Sequence, residues 1–262
     1  MLFVCDIGNS RIKTGFFNKD KIAGIKVFED VDSVIKSIST KRLTEAAVSS
    51  VVPGKLKYFK KAFRKAVNFD KSCVKFKPVI INKDSNFNLK IEYETPDTLG
   101  IDRICSAEGA FYLYKLKEDS IDYNKNIFIL SIDFGTATTI NMIKYNGIFT
   151  GGLIAPGIGM MFKSLKNETA QLPEVKTYGY KNLIGSSTKS SIASGVINST
   201  LGLINQTINY LKGKNKLIKT VVYVTGGNAE YILPYLEFDY ILEEALVLYG
   251  IKAVYENTIK VV

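Results

Sequence analysis

The chain has 262 residues, 46% of them apolar and 23% charged, which describes an ordinary soluble globular protein of one large domain or two small ones. The formal charge of +10 invites a nucleic-acid reading, but arginine occurs only at 11, 42, 64 and 103 and the lysines are dispersed, so a solvated basic surface is expected instead, with attraction for anionic metabolites as the other alternative. Histidine is absent, which excludes Ser-His-Asp and Cys-His catalysis and HExxH zinc sites, while Cys5, Cys73 and Cys105 are too scattered for a disulfide framework or a CxxC metal pattern.

Residues 1–6 read as an apolar strand, interrupted by Asp6 too early for a signal peptide. No stretch is long enough to span a bilayer, so no membrane association and a cytoplasmic location are expected. Asn9–Arg11 reads as a tight turn, IKTGFF as a second strand and IAGIKVF (22–28) as a third. Apolar spacing at Val31, Val34, Ile35 and Ile38 predicts a helix over 30–39. EAAVSSVV (45–52) is a buried strand ending at Pro53-Gly54, and the lysine-rich stretch 55–67 is a helix with one wet face. Residues 70–98 look irregular, with strand-like pieces at 74–80 and 89–93, before a helix over 101–116. The polar segment 118–126 is the expected domain boundary. Then the opening pattern returns as three strands: IFILSID, TTINMIK and GIFTGGLI. A helix is expected from Pro156-Gly157 toward Leu165, a long one with an apolar stripe over 190–212, a strand–glycine turn–helix in TVVYVTGGNAEYILPYL, and a last helix over 240–251.

VCDIGNS and SIDFGTA superpose without a gap, Asp6 on Asp133 and Gly8 on Gly135. Each lies at a strand end and precedes a second strand, so the repeat predicts duplicated α/β domains. The glycines allow sharp turns that expose backbone N–H groups as an anion nest. Asn9, Ser10, Thr136 and Thr138 can donate to phosphate oxygens, and Arg11 or Lys13 can reach a β- or γ-phosphate. Ionised Asp6 and Asp133 would repel phosphate unless a cation lies between, which implies magnesium with ATP and a monovalent ion besides. The Walker pattern GxxxxGK[ST] is missing, and two ordinary Asp-Gly turns are the plain alternative.

In YETPDTLGIDRICSAEGA, Asp102 sits at a helix start beside Arg103, placed either to accept an alcohol's proton or as an ordinary cap. Asp97 and Thr95 read as local structure, and Tyr93 as a core ring or the wall of an acceptor pocket. Thr188, near the start of the long helix, is a cap or a donor to a carboxylate. The glycines of TGG (225–227) let a nucleoside lie close to the backbone or simply turn the chain.

These stretches together resemble type III pantothenate kinase, within the acetate and sugar kinase/Hsp70/actin superfamily. The matching segments are DIGNS (6–10), SSVVP (49–53), YETPDTLGIDR (93–103), DFGTATTIN (133–141), GGLIAPG (151–157), TAQLP (169–173), GSSTKSSIASG (185–195) and TGG (225–227), in family order. The resemblance implies an α/β fold of two tandem ribonuclease-H-like domains, 1–120 and 121–262, around a nucleotide cleft. It implies ATP-dependent phosphorylation of the terminal hydroxyl of pantothenate, the first step of coenzyme A synthesis. It also implies a homodimer whose pantothenate pocket lies near the subunit interface. By the same resemblance Asp6, Ile7, Gly8, Asn9, Ser10, Arg11, Ile12 and Lys13 cradle ATP phosphates, with Asp6 near magnesium through water or phosphate. Asp102 is the implied general base, and Tyr93, Gly100, Ile101, Arg103 and Thr188 contact pantothenate. Asp133 takes the monovalent cation (potassium or ammonium), Thr136 contacts ATP, and Gly226 and Gly227 lie by the nucleoside. Ser10 replaces a usual threonine, Asn141 a usual aspartate and Ala245 a common glycine. The rival expectations are a superfamily kinase for another small alcohol, a non-catalytic nucleotide-binding regulator, and a nucleic-acid-binding module.

Overall fold

The computed structural model describes residues 1–39, 43–66, 77–117, 126–175, 182–214 and 217–260. The first elements are β1 (Leu2–Ile7), β2 (Ile12–Asn18), β3 (Lys21–Phe28), α1 (Val31–Ile38), β4 (Glu45–Ser50) and α2 (Pro53–Ala66). Then come β5 (Val79–Ile81), β6 (Lys90–Ile91), α3 (Ile101–Lys117), β7 (Ile127–Phe134), β8 (Ala137–Lys144) and β9 (Ile148–Pro156). The last are α4 (Ile158–Asn167), α5 (Thr188–Lys214), β10 (Lys219–Thr225), β11 (Ile241–Leu242) and α6 (Leu246–Ile259). The chain forms two units, one of Met1–Ile121, Gly147–Phe149 and Ala245–Val262, the other of Asp122–Asn146 and Thr150–Glu244.

In the first unit the sheet order is β3-β2-β1-β4-β5. β1 pairs antiparallel with β2 and parallel with β4, so it is a central strand. Helices cover both its faces, which explains the unbroken apolar run LFVC. Phe3, Cys5 and Ile7 join Val34, Ile38, Phe59 and Phe63 from α1 and α2 in one core. Leu2 and Val4, on the alternate face, join Cys105 of α3 and Leu248, Ile251 and Val254 of α6 in another. Asp30 caps α1, accepting from Ser33 N at 2.7 Å.

Glycines bring α3 and α6 together. A Cβ on Gly109 would lie 2.0 Å from Leu246 O, and one on Gly250 would lie 1.8 Å from Cys105 O. Beside this seam Lys252, only 1% exposed, donates to Asp20 at 3.1 Å, Tyr112 at 2.7 Å and Glu256 at 2.8 Å. The expected boundary at 120/121 divides the chain in sequence, whereas in space Ala245–Val262 groups with the first unit because α6 packs on α3. The polar residues 118–125, the start of the expected 74–80 strand at 74–76, and Cys73 lie outside the described residues.

The second unit repeats the arrangement as β9-β8-β7-β10-β11, in a sheet to which β6 adds a sixth strand beside β9. Here β7 takes the place of β1, antiparallel to β8 and parallel to β10. The first residues of β9, Ile148 and Phe149, belong to the first unit, where they pair with β6. Leu130, Ile132 and Phe134 pack with Ile158 and Phe162 of α4 and the expected stripe of α5: Ile192, Val196, Ile197, Ile204, Ile208 and Leu211, with Leu201 partly buried against them.

Two elements differ from expectation. The stretch after Gly227 forms 3-10 turns at Ala229–Tyr231 and Leu233–Tyr235 rather than a helix, because Pro234 cannot continue one. The last helix begins at Leu246, not 240. Every residue from Leu246 to Tyr255 is buried, so no polar face marks its ends.

Candidate active site

Each copy of the repeated motif is a hairpin turn at the end of its unit's first strand. In the first, Ile7 pairs with Ile12 and Gly8 N donates to Arg11 O at 3.0 Å, leaving a four-residue turn. In the second, Phe134 pairs with Thr138 and Gly135 N donates to Ala137 O at 3.1 Å, a turn one residue shorter. The gapless match therefore holds through the glycine and ends there.

The segment SSVVPGK is stitched along the first turn. Ser49, fully buried, donates to Asp6 Oδ1 at 2.6 Å. Ser50 Oγ and Val51 N donate to Ile7 O at 3.2 and 3.3 Å. Lys55 Nζ donates to Gly8 O at 3.3 Å and Asn9 O at 2.8 Å. Ser49, Ser50 and Val51 belong to the matching segment SSVVP without an assigned role, and Lys55 was not singled out in the sequence. The signal lay in the parallel β1–β4 register, which sets Asp6 beside Ser49.

Asp6 reaches the surface only in part, and its pKa is pushed up to about 6. Burial is the main cause and the negative charge of Asp102 adds to it, while the Ser49 hydroxyl and the Lys13 ammonium pull the other way. The carboxylate of the turn and that of the GxDR segment thus share one electrostatic neighbourhood. Gly8 and Lys13 are partly exposed and Asn9, Ser10 and Arg11 exposed, whereas the side chains of Ile7 and Ile12 are in the core, so only their backbone borders the turn.

Asp102 lies in the first turn of α3 and is partly exposed. Its Oδ1 accepts from Arg103 N at 2.8 Å, and a Cβ on Gly100 would stand 2.5 Å from that oxygen. Glycine at 100 is therefore what lets the carboxylate fold back over the helix start, beside Ile101. Arg103 is 6% exposed, with its guanidinium 5.9 Å from the ring centres of both Tyr93 and Phe149. Tyr93 meets Phe149 edge-on at 6.1 Å. The buried Glu108 fixes the chain upstream, accepting from Asn88 Nδ2 at 2.9 Å and Leu89 N at 2.8 Å. Asp97 and Thr95 are local structure, as expected: Asp97 pairs with Lys83 at 2.9 Å and Thr98 Oγ1 donates to Thr95 O.

In the second unit Asp133 is partly exposed and Gly226 presses against it. Gly226 has φ +101°, and a Cβ there would lie 2.5 Å from Asp133 Oδ1 and from Phe134 N. Asn228 N and Nδ2 donate to Phe134 O and Gly135 O, both at 3.0 Å, and Gly157 N donates to Thr136 O at 3.1 Å. Thr136 and Gly227 are exposed on this assembly. Thr138 is buried and leaves the set of exposed donors; its Oγ1 has no hydrogen-bond partner among the described residues. Asn228 was not foreseen as part of the site, whereas Gly157 ends the matching segment GGLIAPG. Asn141 is fully buried and donates to Ser131 Oγ at 3.1 Å, so an amide here avoids burying a charge.

Thr188 is the first residue of α5 but not its cap. Ser187 and Ser190 exchange the capping bonds, at 2.9 and 3.3 Å, and leave Thr188 exposed. It forms one wall of a cavity of ≈ 790 Å³ with Pro156, Leu165, Leu172, Ile192 and Val196.

Among the described residues no three His, Cys, Asp or Glu side chains gather as a metal site. A single carboxylate beside an anion-binding turn instead fits magnesium that arrives with nucleotide phosphates, since that ion is held by one or two carboxylates plus phosphate oxygens. At Asp133 the available donors are likewise oxygens, which fit a hard monovalent cation.

Two sheets that share a five-strand order, each ending its first strand in a carboxylate and a glycine turn, define the acetate and sugar kinase/Hsp70/actin fold class. A Campylobacter jejuni structure described as a Baf family transcriptional activator is similar over 98% of this chain and 99% of its own, at 20% identity and TM-score 0.61. A Sinorhizobium meliloti structure described as a 2-dehydro-3-deoxygalactonokinase covers 98% of each chain, at 10% identity and TM-score 0.56. Both likenesses speak to the fold.

The sequence carries the finer identification. The type III pantothenate kinase family profile matches residues 2–210. A type III pantothenate kinase from Cytophaga hutchinsonii is 33% identical over 87% of both chains, and one from Thermosipho africanus is 32% identical over 98% of this chain and 99% of its own. The chain belongs to the type III pantothenate kinase family.

Proposed function

We propose that this chain transfers the γ-phosphoryl group of ATP to the terminal hydroxyl of pantothenate, giving 4'-phosphopantothenate for coenzyme A synthesis, and that Asp6 and Asp102 are the acids on which the reaction turns. The supporting observation is their electrostatic coupling at the end of the first phosphate turn. The backbone N–H groups of Asn9 and Ser10 receive phosphate oxygens, with Arg11 and Lys13 adding positive charge. Magnesium, when bound, would be held at Asp6 through water or phosphate and would neutralise phosphate charge.

Asp102 accepts the proton of the attacking alcohol as the phosphoryl group transfers. Most of the rate comes from orientation and electrostatics, because an aspartate is a weak base. Arg103, fixed against Tyr93 and Phe149, holds a substrate oxygen beside Gly100 and Ile101, and the free face of Thr188 offers a further donor to pantothenate. Asp133 takes potassium or ammonium, while Thr136, Gly226 and Gly227 belong to the nucleotide. The working form is a homodimer without nucleic acid or membrane.

The test is a coupled ATP assay with pantothenate, hexoses or glycerol as acceptor, with and without potassium. Turnover on pantothenate alone, stimulated by potassium in the parent but not in Asp133→Ala, is expected. Turnover on a hexose or glycerol with none on pantothenate would transfer the reading to another small-alcohol kinase.

A further inference from the structure

The lysine-rich helix α2 was expected to present one solvated basic face, and Lys55 departs from that. Its ammonium, partly buried, turns back onto the phosphate turn and binds two successive carbonyls, Gly8 O and Asn9 O. Its neighbours Lys57, Lys60 and Lys61 are exposed.

The peptide bonds here are trans. In a trans peptide the C=O and the N–H of the same plane point in opposite directions. The carbonyl of Gly8 shares its plane with the N–H of Asn9, and that of Asn9 shares its plane with the N–H of Ser10. Holding both carbonyls on the Lys55 side therefore turns both N–H groups to the opposite side. Those are the groups an anion nest presents to phosphate. Gly8 contributes to the same arrangement, since its N–H is held by Arg11 O and a Cβ at 8 would stand 3.0 Å from that oxygen.

We propose that Lys55 is a positioning residue for nucleotide phosphate: it acts through the turn, fixing two peptide planes so that the N–H groups of Asn9 and Ser10 converge on the anion. The inference rests on residues 8–11 being the ATP phosphate site. Lys55 has no part in binding adenosine and none in deprotonating the alcohol. Losing it should therefore weaken phosphate recognition selectively.

The test compares binding of ATP and of adenosine, by calorimetry, in the parent and in Lys55→Met and Lys55→Arg, with thermal melts alongside. In K55M, which loses both charge-assisted hydrogen bonds to the turn, the affinity for ATP should fall about tenfold or more. Adenosine affinity should stay within about twofold, and the KM for pantothenate should change little. K55R, which can still donate to both carbonyls, should recover most of the loss. An unchanged ratio of ATP to adenosine affinity in K55M would overturn the assignment. So would an equal loss of both ligands with a lowered melting temperature, which marks a structural role. A parent that binds ATP no better than adenosine would instead remove the phosphate site itself.

Discussion

At the residue scale, Asp6 is a carboxyl group whose charged form the fold disfavours. Its raised pKa means that the native state binds a proton more tightly than the unfolded chain does. Its contribution to stability is greatest below the ordinary carboxylate range and is lost as pH rises through about 6. Asp6→Asn removes that penalty while keeping an oxygen for the Ser49 hydroxyl. Without ligands, the variant should be more stable than the parent above pH 6, on the order of 1–3 kcal/mol, with a flatter pH profile between 4 and 6. Denaturant melts at pH 5 and pH 8 measure this, and equal stability at pH 8 would contradict it. The same substitution should abolish tight magnesium-nucleotide binding. The parent should lose that binding as pH falls below 6, because the protonated acid no longer attracts the cation. The acids themselves were legible in the sequence, each standing at the polar end of an apolar strand. The contacts of Ser49, quoted only as part of SSVVP, and of Lys55 were not, because a serine in a buried strand and one lysine among many find their partners only through strand register and helix position.

At the element scale, the close crossing of α3 and α6 depends on two glycines whose missing side chains face backbone rather than side chain. Gly109→Ala should cost about 2–3 kcal/mol, because the obstructing carbonyl of Leu246 cannot rotate aside. Gly202 on α5 has nothing within 4 Å of the same added carbon, so Gly202→Ala should gain up to about 1 kcal/mol of helix propensity. Thermal melts should move in opposite directions for the two variants, and a common direction would contradict the packing argument. This contrast explains which elements were legible. α5 keeps an apolar stripe and a wet face, so its period is visible. α6 is buried from Leu246 to Tyr255, and a helix without a polar face leaves no period to read. The turns after Gly227 read as helix because their apolar spacing is helical, and Pro234 overrides it.

At the scale of the whole molecule, the duplicated motif announced a duplicated topology: both sheets contain the order hairpin strand, hairpin strand, first strand, then two parallel strands, and the second adds β6 beyond β9. What the repeat did not announce was membership. The terminal residues Ala245–Val262 join the first unit, a long-range grouping that no local pattern encodes. No helix among the described residues is long and apolar enough to cross a membrane. The family match gives the chemistry, and the proposal assigns the first unit's turn to phosphate and the carboxylate at the helix start to the same transfer.

The measurement that tests this most directly is steady-state phosphorylation of pantothenate by the parent and by Asp102→Asn, with ATP binding measured on both. The account predicts that the variant binds ATP as the parent does and loses turnover by about 10²–10⁴-fold, the range for a positioned proton acceptor. Parent-like turnover in the variant would contradict it.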